Sequence, residues 1–288
     1  MQEGVFNMIE CPHSIYFFRG DVEKFDLTQA TNTLKDWHIV PLGRPVINPP
    51  TQKRQTIDIP GANGQLDISN SLTHYPVFNN RQGQLQFAVL NDIPGHDWLT
   101  IYTKIMKFLQ GNSVKFFLED DPKWFYEGQV WVDNWDSRSD GTWSEVTLGY
   151  DVQPYRRAIN KSTDEWLWDP FNFETDVITS TVFTRIEVTS DTDWQEHDFT
   201  GLIDMMPVMP EFVVTPMEGH PIYAQLWNTD LYGKTWKNVN KGPDGNGQPL
   251  ASKQYYDCIL CEVTPESEIK MQFKGQGSVQ MNFRSGRL

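Results

Sequence analysis

Only one stretch of this chain repeats its apolar residues at helical spacing. Trp98, Leu99, Tyr102, Ile105, Met106 and Leu109 recur at steps that place them on one side of a helix. Asp97 can cap its start and Gly111 can supply the left-handed stop. The other ordered segments alternate at period two, or run short and β-prone between turns. Such a chain must fold mainly as antiparallel sheet. Its aromatics agree: eleven Trp, ten Tyr and seventeen Phe suit a pleated surface better than a helical bundle.

The first half reads as α+β, antiparallel sheets with one helix. Ser14 to Phe18 and Trp37 to Val40 are short strands, and the second stops at Pro41. Pro45, Pro49, Pro50 and Pro60 keep residues 44–60 extended. Leu85, Phe87 and Val89 alternate with Gln84, Gln86 and Ala88, a strand with one buried face. Val114 to Leu118 and Trp124 to Trp135 follow; Ser139-Asp-Gly141 turns the chain back into Thr142 to Val152. A boundary falls at Pro154-Tyr-Arg-Arg157, which divides the chain into domains 1–157 and 158–288.

Beyond it, Trp166 to Phe173 is aromatic and irregular, an arm. The second half then has strands and no helical pattern: Arg185 to Thr189, Phe212 to Thr215, Ile222 to Trp227 and Tyr255 to Val263. Residues 229–251, rich in Gly, Asn and Pro, read as a long exposed loop. Ile269, Met271 and Phe273 alternate, Gly275-Gln-Gly277 turns, and Val279, Met281 and Phe283 alternate back, which reads as a hairpin. Short strands between turn signals predict an all-β sandwich.

Chemistry is sparse. Cys258-Ile-Leu-Cys261 has metal or redox spacing, but strand-like neighbours turn the two cysteines to opposite faces and no second pair completes four ligands. Asp191, Asp193, Glu196, His197 and Asp198 lack the ordered spacing of a calcium loop. Pro243-Asp-Gly-Asn-Gly247 is a plain turn. None of the six histidines forms a paired metal motif, and no nucleophile elbow or phosphate-cradling loop is present. The expectation is a non-enzyme with no cofactor and no metal. Trp236, beside the long loop, is the aromatic best placed to reach a sugar ring or a partner.

At 39% hydrophobic and 22% charged, the chain can bury an ordinary core. A net charge of −14 disfavours specific nucleic-acid binding, which needs Lys and Arg to displace counterions. Three cysteines in 288 residues make no disulfide framework. The start, with its acids and proline, is unlike a signal peptide, and no apolar run is long enough to span a membrane. Synthesis in a cytoplasm, without membrane insertion, is expected.

The most distinctive segment is Thr56-Ile-Asp-Ile-Pro-Gly-Ala-Asn-Gly-Gln-Leu-Asp-Ile68. Physically it is a strand end, a Pro60-Gly61 turn, a kink at Gly64 and a new strand. It resembles the Ile-Pro-Gly-x-(Asp or Asn)-Gly-x-Leu-Asp signature of the siphophage distal tail protein family, on Ile59, Pro60, Gly61, Gly64, Leu66 and Asp67. The resemblance runs on through Tyr75 to Phe87, Leu118 to Gly128 and Tyr150 to Tyr155, and the ending Gly277 to Leu288 is similar to the closing strand of longer members.

That resemblance implies a first domain that builds a hexameric ring with a central channel, and a second, galectin-like β-sandwich on the ring's periphery. The implied partners are five further copies, the tail tube protein, the tail hub protein and receptor-binding or baseplate proteins. Genome DNA would pass through without being specifically bound. The virion tail tip is the implied location. The sugar-binding His/Asn/Arg set and Trp–Glu pair of true galectins cannot be placed on the second half. The alternative expectation is a carbohydrate-binding module that adheres to the host cell wall.

Overall fold

The computed structural model describes residues 13–20, 22–90, 97–137, 144–162, 185–201, 203 and 206–288. The described residues are mostly β-sheet with two helices, one of twelve residues. The chain divides into two compact units, Met1–Thr51 with Asn79–Ile159, and Gln52–Phe78 with Asn160–Leu288.

In the first unit β1 (Ile15–Arg19), β2 (Thr31–Asn32) and β3 (Ile39–Pro41) lie before the inserted segment that carries β4 (Thr56–Asp58) and β5 (Gln65–Asp67). After it come β6 (Arg81–Val89), α1 (Trp98–Leu109), β7 (Ser113–Leu118), β8 (Trp124–Ser137), β9 (Ser144–Val152) and β10 (Arg156–Ala158). The sheet runs β2-β1-β7-β8-β9-β6-β3, antiparallel throughout, and β10 pairs with β8. Its inner face carries Leu85, Phe87 and Val89 of β6 with Val146, Leu148, Tyr150 and Val152 of β9, all buried. An aromatic ladder of Trp37, Phe17, Phe116 and Tyr126 crosses that core at centroid spacings of 5.1, 5.3 and 5.5 Å.

Helix α1 covers the core. Asp97 caps it by accepting the Thr100 amide, and Gly111 lies just past its end with φ 72°. The buried stripe is Ile101, Ile105 and Leu109; Trp98 and Leu99, expected on that face, are exposed. Tyr102 and Trp98 instead pack their rings on Trp135 of β8. Arg81, 4% exposed, ties the lower end of β6 by donating to the carbonyls of Pro154 and Asn48, with its guanidinium over the Tyr126 ring. The Ser139-Asp-Gly141 turn lies outside the described residues, although Ser137 pairs with Ser144 on its two sides. The proposed arm at Trp166 to Phe173, and Cys11, also lie outside them.

The second unit holds β11 (Ile186–Val188), β12 (Gln195–Asp198), β13 (Glu211–Pro216), β14 (Tyr223–Asn228), α2 (Thr229–Tyr232), β15 (Lys237–Asn238), β16 (Gln254–Tyr255), β17 (Ile269–Lys274) and β18 (Gly277–Asn282). Two four-stranded sheets, β11-β18-β13-β16 and β12-β17-β14-β15, share one core. Three expectations are corrected here. Strands β17 and β18 form no hairpin: β17 bonds to β12 and β14, and β18 bonds to β11 and β13. Gly275-Gln-Gly277 carries the chain from one sheet to the other, so both alternating apolar faces meet across the core rather than side by side. Residues 255–263 form no continuous strand; beyond β16 only Leu260 bridges, to Val208, and the curved path buries Cys258, Leu260 and Cys261 together. Residues 229–251 are less loop-like than their composition implies, since α2, β15 and a Lys241–Gly247 bridge order them and Val239 and Leu250 are buried. No helix among the described residues is long and apolar enough to cross a membrane.

Candidate functional site

The Thr56–Ile68 segment folds as an isolated β-hairpin. Among the described residues, strands β4 and β5 pair only with each other, in the register Thr56↔Asp67, Ile57↔Leu66 and Asp58↔Gln65. Pro60 and Gly61 occupy the middle of a turn closed by the Ala62 amide on the Ile59 carbonyl at 3.0 Å. Gly61 has φ 83°, so Pro first and Gly second fit a type II turn, and Gly64 (φ 79°) makes the second bend. At the base, the Ile68 amide donates to the Gln55 carbonyl and the Gln55 amide to Ser69 Oγ. The Ser69 hydroxyl and amide hold the Asp67 carboxyl below the usual carboxylate range.

The ribbon is amphipathic. Alternation puts Ile57, Ile59 and Leu66 on one face and Thr56, Asp58, Gln65 and Asp67 on the other. The apolar face is uncovered: Ile57 is 48%, Ile59 47% and Leu66 51% exposed. A two-stranded ribbon is marginal alone in water. Fully burying one such side chain contributes about 1.5–3 kcal/mol, so this face would gain by being covered.

A second feature had no single-segment signal. On the outer face of the first unit's sheet, Gln84, Gly149 and Trp131 lie side by side on β6, β9 and β8. Asp133, at a bulge in β8, accepts from Gln84 Nε2 at 2.6 Å and Trp131 Nε1 at 3.4 Å. Asp151 accepts from Asn80 and Gln82. Strands β8 and β9 contain no Lys or Arg, and the only one in β6, Arg81, is buried. With Asp136 and Glu145 paired further along, the face is polar and anionic.

Trp236 is half-buried and packs on Trp227 at 5.4 Å. Next to this pair, Glu196, Gln272, Gln225 and Asn238 form one row across β12, β17, β14 and β15. Gln272 donates to Gln225, and Gln225 to Asn238. The acidic loop is spent on local bonds: Asp191 meets His220, and Asp193 is bonded by Ser190 and Thr192. Cys258 and Cys261 are buried, and burial pushes their thiols up to about 12 and about 11. No group of three His, Cys, Asp or Glu among the described residues could hold a metal ion.

No family model matches the chain, and no curated protein matches it significantly in sequence. In structure it is similar to the crystal structure of the Dit protein of SPP1, described as a paradigm of the hub adsorption apparatus in phages that infect Gram-positive bacteria. The TM-score is 0.50 at 14% identity, over 95% of this chain and 94% of that one. The chain has the Dit fold. A component of the phage p2 baseplate in its activated conformation also aligns over 96% of this chain and 98% of its own, at 9% identity and a TM-score of 0.32.

Proposed function

We propose that this chain is a structural component of a phage tail tip, a distal tail protein that builds a hexameric ring between the tail tube and the hub with its receptor-binding proteins. The observation that carries the reading is the Dit fold, matched along both chains nearly end to end. The family signature supports it independently, because its six residues fall together in one exposed turn-and-strand device. In this reading residues 1–157 form the ring. The anionic sheet face of β6, β9 and β8, whose one cation, Arg81, is buried, suits a channel through which DNA passes without sticking. Residues 158–288, a sandwich of the galectin-like kind, project outward and hold adhesion proteins. The protein needs no cofactor and catalyses nothing; it is made in the bacterial host and ends in the virion. Light scattering and negative-stain imaging of the purified chain test this. Six-membered rings are expected, and a monomer at every concentration overturns the reading.

A second reading, a carbohydrate module that adheres to the cell wall, draws on the Trp227–Trp236 pair beside the row Glu196, Gln272, Gln225 and Asn238. Stacking rings next to planar amides suit a sugar's faces and hydroxyls. A glycan array discriminates: binding lost in Trp236→Ala favours this reading, and an empty array removes it.

A further inference from the structure

A second apolar feature lies open on the same chain. In the first unit, Tyr16, Phe25, Leu27, Phe117, Pro122 and Ile159 line a hollow of about 300 Å³, with Glu119 at its edge. Its floor is an aromatic cluster. Tyr16 stacks on Phe117 at 5.0 Å, and Phe25 packs on both Phe18 and Phe125. Leu27 on its wall is 59% exposed. An apolar cavity of about 150 Å³ already accommodates a benzene ring, so this one has room for about two branched aliphatic side chains.

The hairpin offers that shape. Ile57 and Leu66 stand directly opposite each other, with Ile59 two residues on, and residues 53–67 are exposed without a break. The charges also match. Lys53 and Arg54 sit exposed at the base of the ribbon. The hollow carries Glu119 on its lining.

We infer that the apolar face of the Ile57–Leu66 hairpin of one copy docks into the Phe25–Leu27–Phe117 hollow of the next copy. The inference rests on the ring reading, to which it adds the contact. A knob and a hollow at different places on one surface form a heterologous contact, which propagates head to tail and makes a ring when its rotation closes. A contact of knob to knob would stop at a dimer. The tip of the hairpin supplies the apolar anchors, and Arg54 facing Glu119 sets its direction.

The test uses the full chain with Cys11 replaced by Ser. One preparation carries Ile57→Cys and another carries Leu27→Cys; Cys258 and Cys261 are buried. Mild oxidation of the mixture is expected to give a covalent dimer that neither preparation gives alone. Separately, Leu66→Glu is expected to weaken self-association roughly ten- to a hundredfold, with circular dichroism unchanged because residue 66 is exposed. Arg54→Glu is expected to weaken assembly, and Glu119→Arg in the same chain to restore it. Rings that persist in Leu66→Glu, with no mixed dimer, overturn the docking while leaving the ring reading intact. Absence of any oligomer in the unmodified chain removes both. A link that forms only within a chain carrying both cysteines also overturns the inference, because the hairpin would then fill its own hollow.

Discussion

The indole of Trp131 lies across Gly149 on the neighbouring strand, so close that a methyl group at position 149 would stand 2.6 Å from ring atom Cε2. Glycine there is a packing requirement: the sheet has no room for both a Cβ and the ring. Gly149→Ala is expected to destabilise the first unit by about 1–3 kcal/mol, the usual cost of an overpacked site. In a Trp131→Val background the same change should cost less than half as much, because the clashing ring is gone. Urea unfolding of the four members of this double-mutant cycle measures the coupling. Equal costs in both backgrounds would mean that the strand, not the ring, excludes the methyl.

Burial explains an expected silence at Cys258 and Cys261. A thiol reacts as thiolate, and these thiols are pushed up to about 12 and about 11 in a solvent-free core. In the native protein at pH 8, neither should be modified by a thiol-specific reagent on the timescale that labels an exposed cysteine. Both should react once urea unfolds the chain. Mass mapping of the labelled peptides checks this, and native labelling at Cys258 would show that the second unit's core opens locally.

His197 lies on β12, half-buried, with Met271 as its register partner and Phe273 at a ring spacing of 5.9 Å. Burial lowers its pKa from the ordinary value, so the folded state favours the neutral ring. Above about pH 6.5, the ordinary histidine value, both states are neutral and this contribution to stability is complete. As pH falls from there towards the lower folded pKa, the unfolded chain takes up the proton first and stability is lost. His197→Gln should therefore flatten the fall in urea midpoint between pH 7.5 and pH 5.5. An unchanged slope would mean that other groups set the pH dependence.

The helix was legible because one local device after another agrees: Asp97 caps it, an apolar period sustains it and Gly111 ends it. Its buried stripe was less so. Trp98 and Leu99 share the apolar character of Ile101, and only the position of Trp135 on β8 decides that the sheet is met by Ile101, Ile105 and Leu109. The Pro60–Gly61 turn could be read because proline and glycine fix torsions by themselves. The anionic sheet face could not, since it appears only when Gln84, Trp131 and Gly149, far apart in sequence, become neighbours. In residues 255–263 β-prone side chains imply a strand, but they serve the core from a curved segment whose stretch beyond β16 makes a single bridge.

Residues 269–283 bond into two different sheets although their pattern reads as a hairpin. Alternation along Ile269, Met271 and Phe273, and again along Val279 and Met281, reports that one face of each strand is buried. It does not report which edge each strand bonds to. Two alternating strands with two residues between them can pair edge to edge, or face each other across a sandwich. Here they face each other, and Gly275 and Gly277 make the crossing possible. Both have φ 134°, a region that L side chains rarely adopt. A Cβ at Gly275 would collide with the Pro221 carbonyl oxygen, and one at Gly277 with that of Thr215. Backbone oxygens cannot rotate aside as a side chain can. Gly277→Ala should therefore add an overpacking cost of about 1–3 kcal/mol to a torsional cost of similar size. Gly245→Ala is the control: its φ is 79° but nothing lies within 4 Å of its Cβ position. That variant should lose only the torsional part. If thermal or urea unfolding finds the two variants equally destabilised, close approach adds nothing, and the crossing does not depend on a side-chain-free residue at 277.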